Sequence, residues 1–177
     1  FQCWVLMTHG SAITVPANKS RTFIKYCKAI CKRMIHMKKA IIIGASSGIG
    51  KELAKVLSKN DYIVGLVGRR EKLLKKLQQE LPGLSFVKSF DISSTDSMKR
   101  LEDLIHEMNG VDLIVISAGC GFINPELEFE KEKATIDVNV LGFCTMINVA
   151  YNYFSKKGSG HIVGISSTTK KAKKKTV

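Results

Sequence analysis

Residues 40–50 read AIIIGASSGIG, a short apolar run that breaks into Gly44, Gly48 and Gly50 and then passes into an amphipathic pattern. An apolar run, a glycine-rich break and a 3.6-residue period, in that order, spell a strand, a tight turn and a helix start. Glycine carries no side chain, so a turn of this kind lets backbone N–H groups and the positive end of a helix dipole approach a pyrophosphate. The spacing is Gly-xxx-Gly-x-Gly rather than G-x-G-x-x-G, and it gains meaning from its setting, a strand before and a helix after. Gly44, Ala45, Ser46, Ser47, Gly48, Ile49 and Gly50 are therefore candidate phosphate-binding residues.

Outward from this turn, Ile49, Leu53, Val56 and Leu57 recur at helical spacing, and Tyr62 to Val67 returns to an apolar run that ends in Gly68, Arg69 and Arg70. Together they make one βαβ unit of about thirty residues. In a dinucleotide-binding fold the tip of the second strand faces the adenosine ribose, where a carboxylate accepts from a 2′-hydroxyl and an arginine neutralises a 2′-phosphate. Here two arginines precede the first acid, Glu71, which favours NADP(H) over NAD(H). Arg69 and Arg70 also read as solvated residues at a helix start. Arginine there opposes the helix dipole, so a ligand phosphate accounts for the pair better.

Further along, Leu73, Leu74, Leu77 and Leu81 form a second helical stripe, Leu84 to Phe90 alternates as a strand, and Met98, Leu101, Leu104, Ile105 and Met108 mark a third helix. Val111 to Ile116 is nearly continuous in apolar residues, as a strand covered on both faces would be. The pattern then predicts a long helix from about Glu130 to Phe154, carrying Val138, Leu141, Met146, Val149 and Tyr153, and a fifth strand over Gly160 to Ile165. Strands alternating with helices predict an α/β fold: a doubly wound parallel sheet, Rossmann-like, in three α/β/α layers. Ligands bind such sheets at the carboxyl ends of the strands, where strand order reverses.

Six stretches occur in one order: GASSGIG at 44–50, GRR at 68–70, Asp91-Ile92, Ser117-Ala118-Gly119, Asn139-Val140-Leu141-Gly142 and HIVGISS at 161–167. In these the chain resembles the classical short-chain dehydrogenases/reductases, over residues 37 to 167. The resemblance implies an oxidoreductase that moves a hydride between a nicotinamide dinucleotide and a carbonyl or alcohol carbon. It implies roles residue by residue: Gly44 to Gly50 for the pyrophosphate, Arg69 and Arg70 for the 2′-phosphate, Asp91 and Ile92 for the adenine. Ser117, Ala118 and Gly119 would lie beside the ribose. Asn139 is similar to the family's catalytic-helix asparagine and Ser167 to its catalytic serine. Asp91 also reads as a strand-end carboxylate that caps the next helix, a task open to Ser93 or Ser94 as well.

Some positions depart from the family pattern. Ser117 stands where an asparagine is usual, and Ser47 where NADP-preferring members often carry a basic residue. The family's acid/base tyrosine lies about a dozen residues beyond the serine, with a lysine four further on, yet TTKKAKKKTV follows Ser167 and holds no tyrosine. A phenol near pKa 10 needs a neighbouring cation to ionise near neutrality. The expectation is therefore a chain that ends before the catalytic pair and is inactive as given. Its alternatives are a non-catalytic NADP(H)-binding module or pseudoenzyme, and a truncated product without function. Tyr153 and Lys157 do read Y-x-x-x-K, but they precede Ser167, and fourteen helical residues place Tyr153 about 21 Å from Asn139. Tyr153 is read as a packing residue at the amino edge of the sheet.

The formal charge of +13 is concentrated at the ends. Residues 1–36 hold Lys19, Arg21, Lys25, Lys28, Lys32 and Arg33 without an acid, and residues 168–177 hold five lysines without one. The segment between is nearly neutral, which argues against a nucleic-acid partner. Residues 1–36 read as a basic extension preceding Met37, from read-through of upstream sequence or a gene-model error rather than the transit-peptide-like targeting leader they also resemble, and 168–177 as a lysine-rich tail from a frameshift or an early stop. No run reaches the eighteen apolar residues of a membrane span, so no membrane partner is expected. Five cysteines, Cys3, Cys27, Cys31, Cys120 and Cys144, imply neither a disulfide scaffold nor a metal site, and Cys120 reads as a small core filler. A cytoplasmic compartment follows as the expectation, with self-association through the family's C-terminal helices where those are present.

Overall fold

The computed structural model describes residues 37–166. Residues 1–36, the lysine-rich tail and Ser167 lie outside the described residues. In chain order the elements are β1 (Lys39–Ile43), α1 (Gly48–Lys59), β2 (Ile63–Gly68), α2 (Glu71–Glu80), β3 (Ser85–Ser89), α3 (Ser97–Glu107) and β4 (Leu113–Ile116). There follow α4 (Phe129–Ile136), a π-helical turn (Asp137–Gly142), α5 (Phe143–Lys157) and β5 (His161–Gly164). All strand pairs are parallel, in the order β3-β2-β1-β4-β5. The order reverses between β1 and β4, the switch point of a doubly wound sheet.

The run of isoleucines in β1 belongs at the centre of this sheet because both of its faces are covered. Ile41, Ile42 and Ile43 are wholly buried, and each contributes about 1.5–3 kcal/mol by leaving water. On one face Ile42 joins Ala54, Val64, Leu66, Leu74, Leu77, Leu81 and Val115, so α1 and α2 form that layer. Opposite them, a Cβ on Gly65 of β2 would lie 2.7 Å from Met108 Sδ and 2.9 Å from Ile41 Cγ1. Glycine in mid-strand thus lets α3 approach the sheet closely. Within α5 the buried side chains are Met146, Val149, Ala150 and Phe154.

Two sequence expectations are corrected here. The single helix over 130–154 is interrupted by the π-helical turn at 137–142, where one extra residue per turn rotates the face that follows. Leu141, expected in the core stripe, is consequently 59% exposed. Ile49 and Val56, read as part of an inward stripe, are also exposed, and the inner face of α1 is carried by Gly50, Ala54 and Ser58. Among the described residues the helical run Phe129–Lys157 is long and apolar enough to cross a membrane. Its buried residues nonetheless make it a layer of the fold.

At the amino edge of the sheet a polar cluster joins three elements that are distant in sequence. Asp112 Oδ2 accepts from Lys39 N at 2.9 Å, and Asp112 Oδ1 accepts from Lys157 Nζ at 2.6 Å. Lys157 Nζ also donates to the Val111 carbonyl, while the Tyr153 hydroxyl accepts from Val111 N at 3.1 Å. The Y-x-x-x-K pair therefore fastens the end of α5 to the entry of β4, at the edge away from the glycine turn. Burial pushes the Asp112 carboxyl up, but Lys157, the Lys39 N–H and the two lysine charges outweigh it and hold it below its ordinary value. A carboxyl that titrates lower when folded contributes stability above its unfolded pKa of about 3.9, and loses it as pH falls through the lower folded value. Asp112→Ala is expected to cost about 1.5–3 kcal/mol at pH 7. It should also flatten the acid limb of a stability profile below pH ~4, read by urea unfolding; an unchanged acid limb would contradict this role.

Candidate functional site

The turn after β1 is shaped by three glycines for three different reasons. Gly44 has φ +98°, and a Cβ there would fall 2.6 Å from Ala118 N, so the turn lies directly against the chain leaving β4. A Cβ on Gly50 would meet the Gly44 carbonyl at 2.4 Å, because α1 starts hard against the turn. Gly48, at φ +57°, has nothing within 4 Å of its Cβ position and faces open space. Left-handed backbone beside empty volume at the start of α1 is where a phosphate gains bare N–H groups and the helix dipole. Gly44 N and Ala45 N both donate to the Val67 carbonyl, which fixes the turn to the end of β2.

A cleft opens at this point. Gly44, Ser46, Ser47, Gly48 and Ile49 line it from the turn, Arg69 and Arg70 from the end of β2, and Asp91 and Ile92 from the end of β3. Ser117, Ala118 and Gly119 complete it from the end of β4. Twelve of the fourteen residues singled out for a dinucleotide thus face one cavity. The other two shape it from behind: Ala45 is wholly buried, and Gly50 packs on Gly44. Ile43, Gly68, Phe90, Val138 and Ile165 also line the cleft. Ile43, Phe90 and Val138 were missed because strand-end and core-facing residues carry no motif of their own, whereas Gly68 and Ile165 lie within stretches already singled out. The exposure of Ile49, at odds with its apolar stripe, is explained by its place in the cleft wall.

The two arginines do different things. Arg70 Nη2 donates to Ser46 Oγ at 2.8 Å and to Ser47 Oγ at 2.7 Å, so its guanidinium sits across the glycine turn. Arg69 Nη1 instead reaches Asp91 Oδ2 at 3.4 Å. Asp91 Oδ1 accepts from Ser93 N at 3.0 Å and Ser93 Oγ at 2.7 Å, so the carboxylate closes the turn ahead of α3 without capping that helix, whose N-cap residue is Asp96. Burial pushes the Asp91 carboxyl up, but Ser93 and the Arg69 guanidinium together leave it below its ordinary value. The cleft mouth therefore holds one fixed carboxylate and two cations at neutral pH, a field suited to an anion near Arg70.

Beside the cleft, and sharing Ser117, Ala118, Gly119 and Ile165 with it, a second pocket is lined by Cys120, Gly121, Asn139, Phe143 and Ser166. Asn139 lies in the π-helical turn and binds the loop after β4 from both sides. Its Oδ1 accepts from Cys120 N at 2.9 Å, and its Nδ2 donates to Cys120 O at 2.7 Å. The side chain thus mimics a strand neighbour for the Cys120 backbone, while the Cys120 thiol donates to the Ala134 carbonyl at 3.6 Å. Cys120 was expected as a small core filler; it is half-buried and lies in the wall of this pocket instead. Asn139→Asp keeps an acceptor but loses the donor and sets a carboxylate against the Cys120 carbonyl. The substitution is expected to cost about 1–3 kcal/mol and to speed amide exchange at Gly119–Gly121. Unchanged exchange there would show that the pairing does not hold the loop.

The family model for short chain dehydrogenases matches residues 38–177 of this chain. An uncharacterised oxidoreductase of Staphylococcus epidermidis is 34% identical over 137 residues, which are 75% of this chain and 59% of that protein. Among solved structures, a 3-ketoacyl-ACP reductase from Sinorhizobium meliloti superposes with a TM-score of 0.67 at 28% identity, over 73% of this chain and 53% of its own. An alcohol dehydrogenase from Thermococcus sibiricus, solved with 5-hydroxy-NADP, gives 0.66 at 29% identity, over 73% and 57%. The chain spans a little over half the length of the relatives it matches.

Proposed function

The chain belongs to the short-chain dehydrogenase family, and from that membership we propose that its cleft takes NADP(H) in preference to NAD(H), in the service of hydride transfer to or from a carbonyl or alcohol carbon. One observation carries the cofactor preference: Arg70 lies across the hydroxyls of Ser46 and Ser47. A 2′-phosphate entering there meets a guanidinium already oriented, with two hydroxyls free to turn and donate. That trio offsets the absence of a basic residue at position 47. Arg69, tied to Asp91, borders the adenine side of the cleft. When bound, the nicotinamide supplies the hydride chemistry, and the protein's share is to orient the dinucleotide and the oxygen that gains or loses a proton.

In this reading the glycine turn holds the pyrophosphate and Asp91 with Ile92 flanks the adenine. Ser117 to Gly119, braced through Asn139 and Cys120, walls the ribose. Ser167 stands three residues beyond the last residue of β5 and is assigned to the substrate oxygen by resemblance alone. Self-association and a cytoplasmic compartment belong to the same proposal.

A second reading has one observation in its favour, namely that no tyrosine follows Ser167 in the 177 residues. Proton exchange with the substrate oxygen needs a group within hydrogen-bond reach. The 177-residue chain is accordingly expected to bind NADPH without turning over. Absorbance at the NADPH band with a panel of aldehydes, ketones and quinones tests this. Consumption that Ser167→Ala abolishes would contradict the binding-only reading and support catalysis by this chain itself. Absence of both binding and turnover would contradict the two readings together.

A further inference from the structure

The edge of the sheet opposite the nucleotide cleft carries a groove that the proposed function does not use. It runs between α3 and α5, which contribute matching faces. Glu102, Ile105, His106 and Asn109 come from α3 and its end, at i, i+3, i+4 and i+7. Val149, Asn152, Tyr153 and Lys156 come from α5 at the same spacing. Ile105 and Val149 are buried and form an apolar floor, while the remaining side chains form a polar rim. Both helices end at the entry of β4, so Lys156 and His106 lie toward that end, and Glu102 lies about 10 Å up α3 from Asn109 at 1.5 Å per residue.

The charges on this rim are opposite and unpaired. Glu102, His106 and Lys156 take part in none of the ion pairs among the described residues. The Tyr153 hydroxyl accepts from Val111 N, which leaves its own proton to donate. Glu102 thus offers a carboxylate and His106, one turn along α3, an imidazole, while Tyr153 and Lys156 offer a phenol and an ammonium from α5, with aliphatic surface of Ile105 and Val149 between the helices.

We propose that this groove binds a linear zwitterion: an ammonium group at Glu102, a carboxylate among His106, Tyr153 and Lys156, and a methylene chain along Ile105 and Val149. Glu102 stands about 6 Å along α3 from His106, a separation on the order of a short methylene chain. A lone anion or a lone cation satisfies one end and leaves the other charge without a partner, so it gains only part of the binding.

The test is titration of the full chain, followed by amide NMR shifts, with 6-aminohexanoate, hexanoate and hexylammonium as probes. Saturable shifts confined to residues 102–110 and 149–156 are expected with 6-aminohexanoate, and about tenfold weaker binding with either single-charge probe. Glu102→Gln and Lys156→Gln, both on exposed positions, should each weaken the zwitterion about tenfold while leaving NADPH affinity unchanged. Equal affinity for all three probes, absence of saturable shifts at tens of millimolar, or indifference to both substitutions would overturn the proposal.

Discussion

Replacing Gly44 by alanine is expected to abolish nucleotide binding and to take a large part of the domain's stability with it. The new methyl has no place to go, since its carbon would lie 2.6 Å from Ala118 N and 2.8 Å from Ala118 Cα, and both are backbone. Gly44 also has φ +98°, a conformation that L side chains resist. Left-handed strain of about 1–2 kcal/mol and overpacking of about 1–3 kcal/mol act together here. The sum is a sizeable fraction of the about 5–15 kcal/mol that holds an ordinary domain folded. Gly48→Ala is the control for stability: it shares the positive φ but meets nothing within 4 Å, so it should cost the fold only the strain. Urea midpoints and NADPH titrations of the two variants separate these outcomes. Equal losses would show that the close approach of the turn to β4 does not govern the site.

Arg70→Ala is expected to remove most of the discrimination between NADPH and NADH. A charged hydrogen bond contributes about 1.5–3 kcal/mol, which corresponds to roughly 10–150-fold in affinity, and the loss should fall on NADPH alone. Arg69→Ala is expected to weaken both cofactors to a similar extent, because Arg69 is engaged with Asp91 rather than with the serines of the turn. From sequence a 2′-phosphate was expected to rest on both arginines, with Arg69 supplying most of the discrimination. Their separate hydrogen-bond partners divide the work. If Arg69→Ala alone erases the preference, the cradle formed by Arg70, Ser46 and Ser47 is not the phosphate site.

The strand, turn and helix around Gly44 were legible because every signal involved is local: an apolar run, glycines at fixed offsets and a 3.6-residue period. The convergence of Arg69, Arg70, Asp91 and Ser117 on one cleft was legible for a different reason. In a parallel sheet each of these positions follows a strand, and all strands end on the same side. The π-helical turn left no trace in the pattern, because it arises from packing. Gly142 abuts Ile92, where a Cβ would lie 2.7 Å from Ile92 Cγ1, and Asn139 engages Cys120 nineteen residues away. The fastening of Lys39 to Asp112 spans 73 residues and involves types that ordinarily read as surface charges. Arg70 found its serines across 24 residues, and only the fold brings the two together. Exposure of Ile49 in the cleft wall shows the limit of periodicity, which locates an apolar face but does not say whether a core or a ligand covers it.

The central claim is that the chain carries a nucleotide cleft tuned to a 2′-phosphate. Calorimetric titration of the 177-residue chain with NADPH and with NADH, side by side at one ionic strength, tests it most directly. The account predicts saturable binding of both cofactors at one site, with NADPH at least about tenfold tighter and the difference shrinking as salt screens the arginine. Equal affinities, a preference for NADH, or no binding of either cofactor would contradict it.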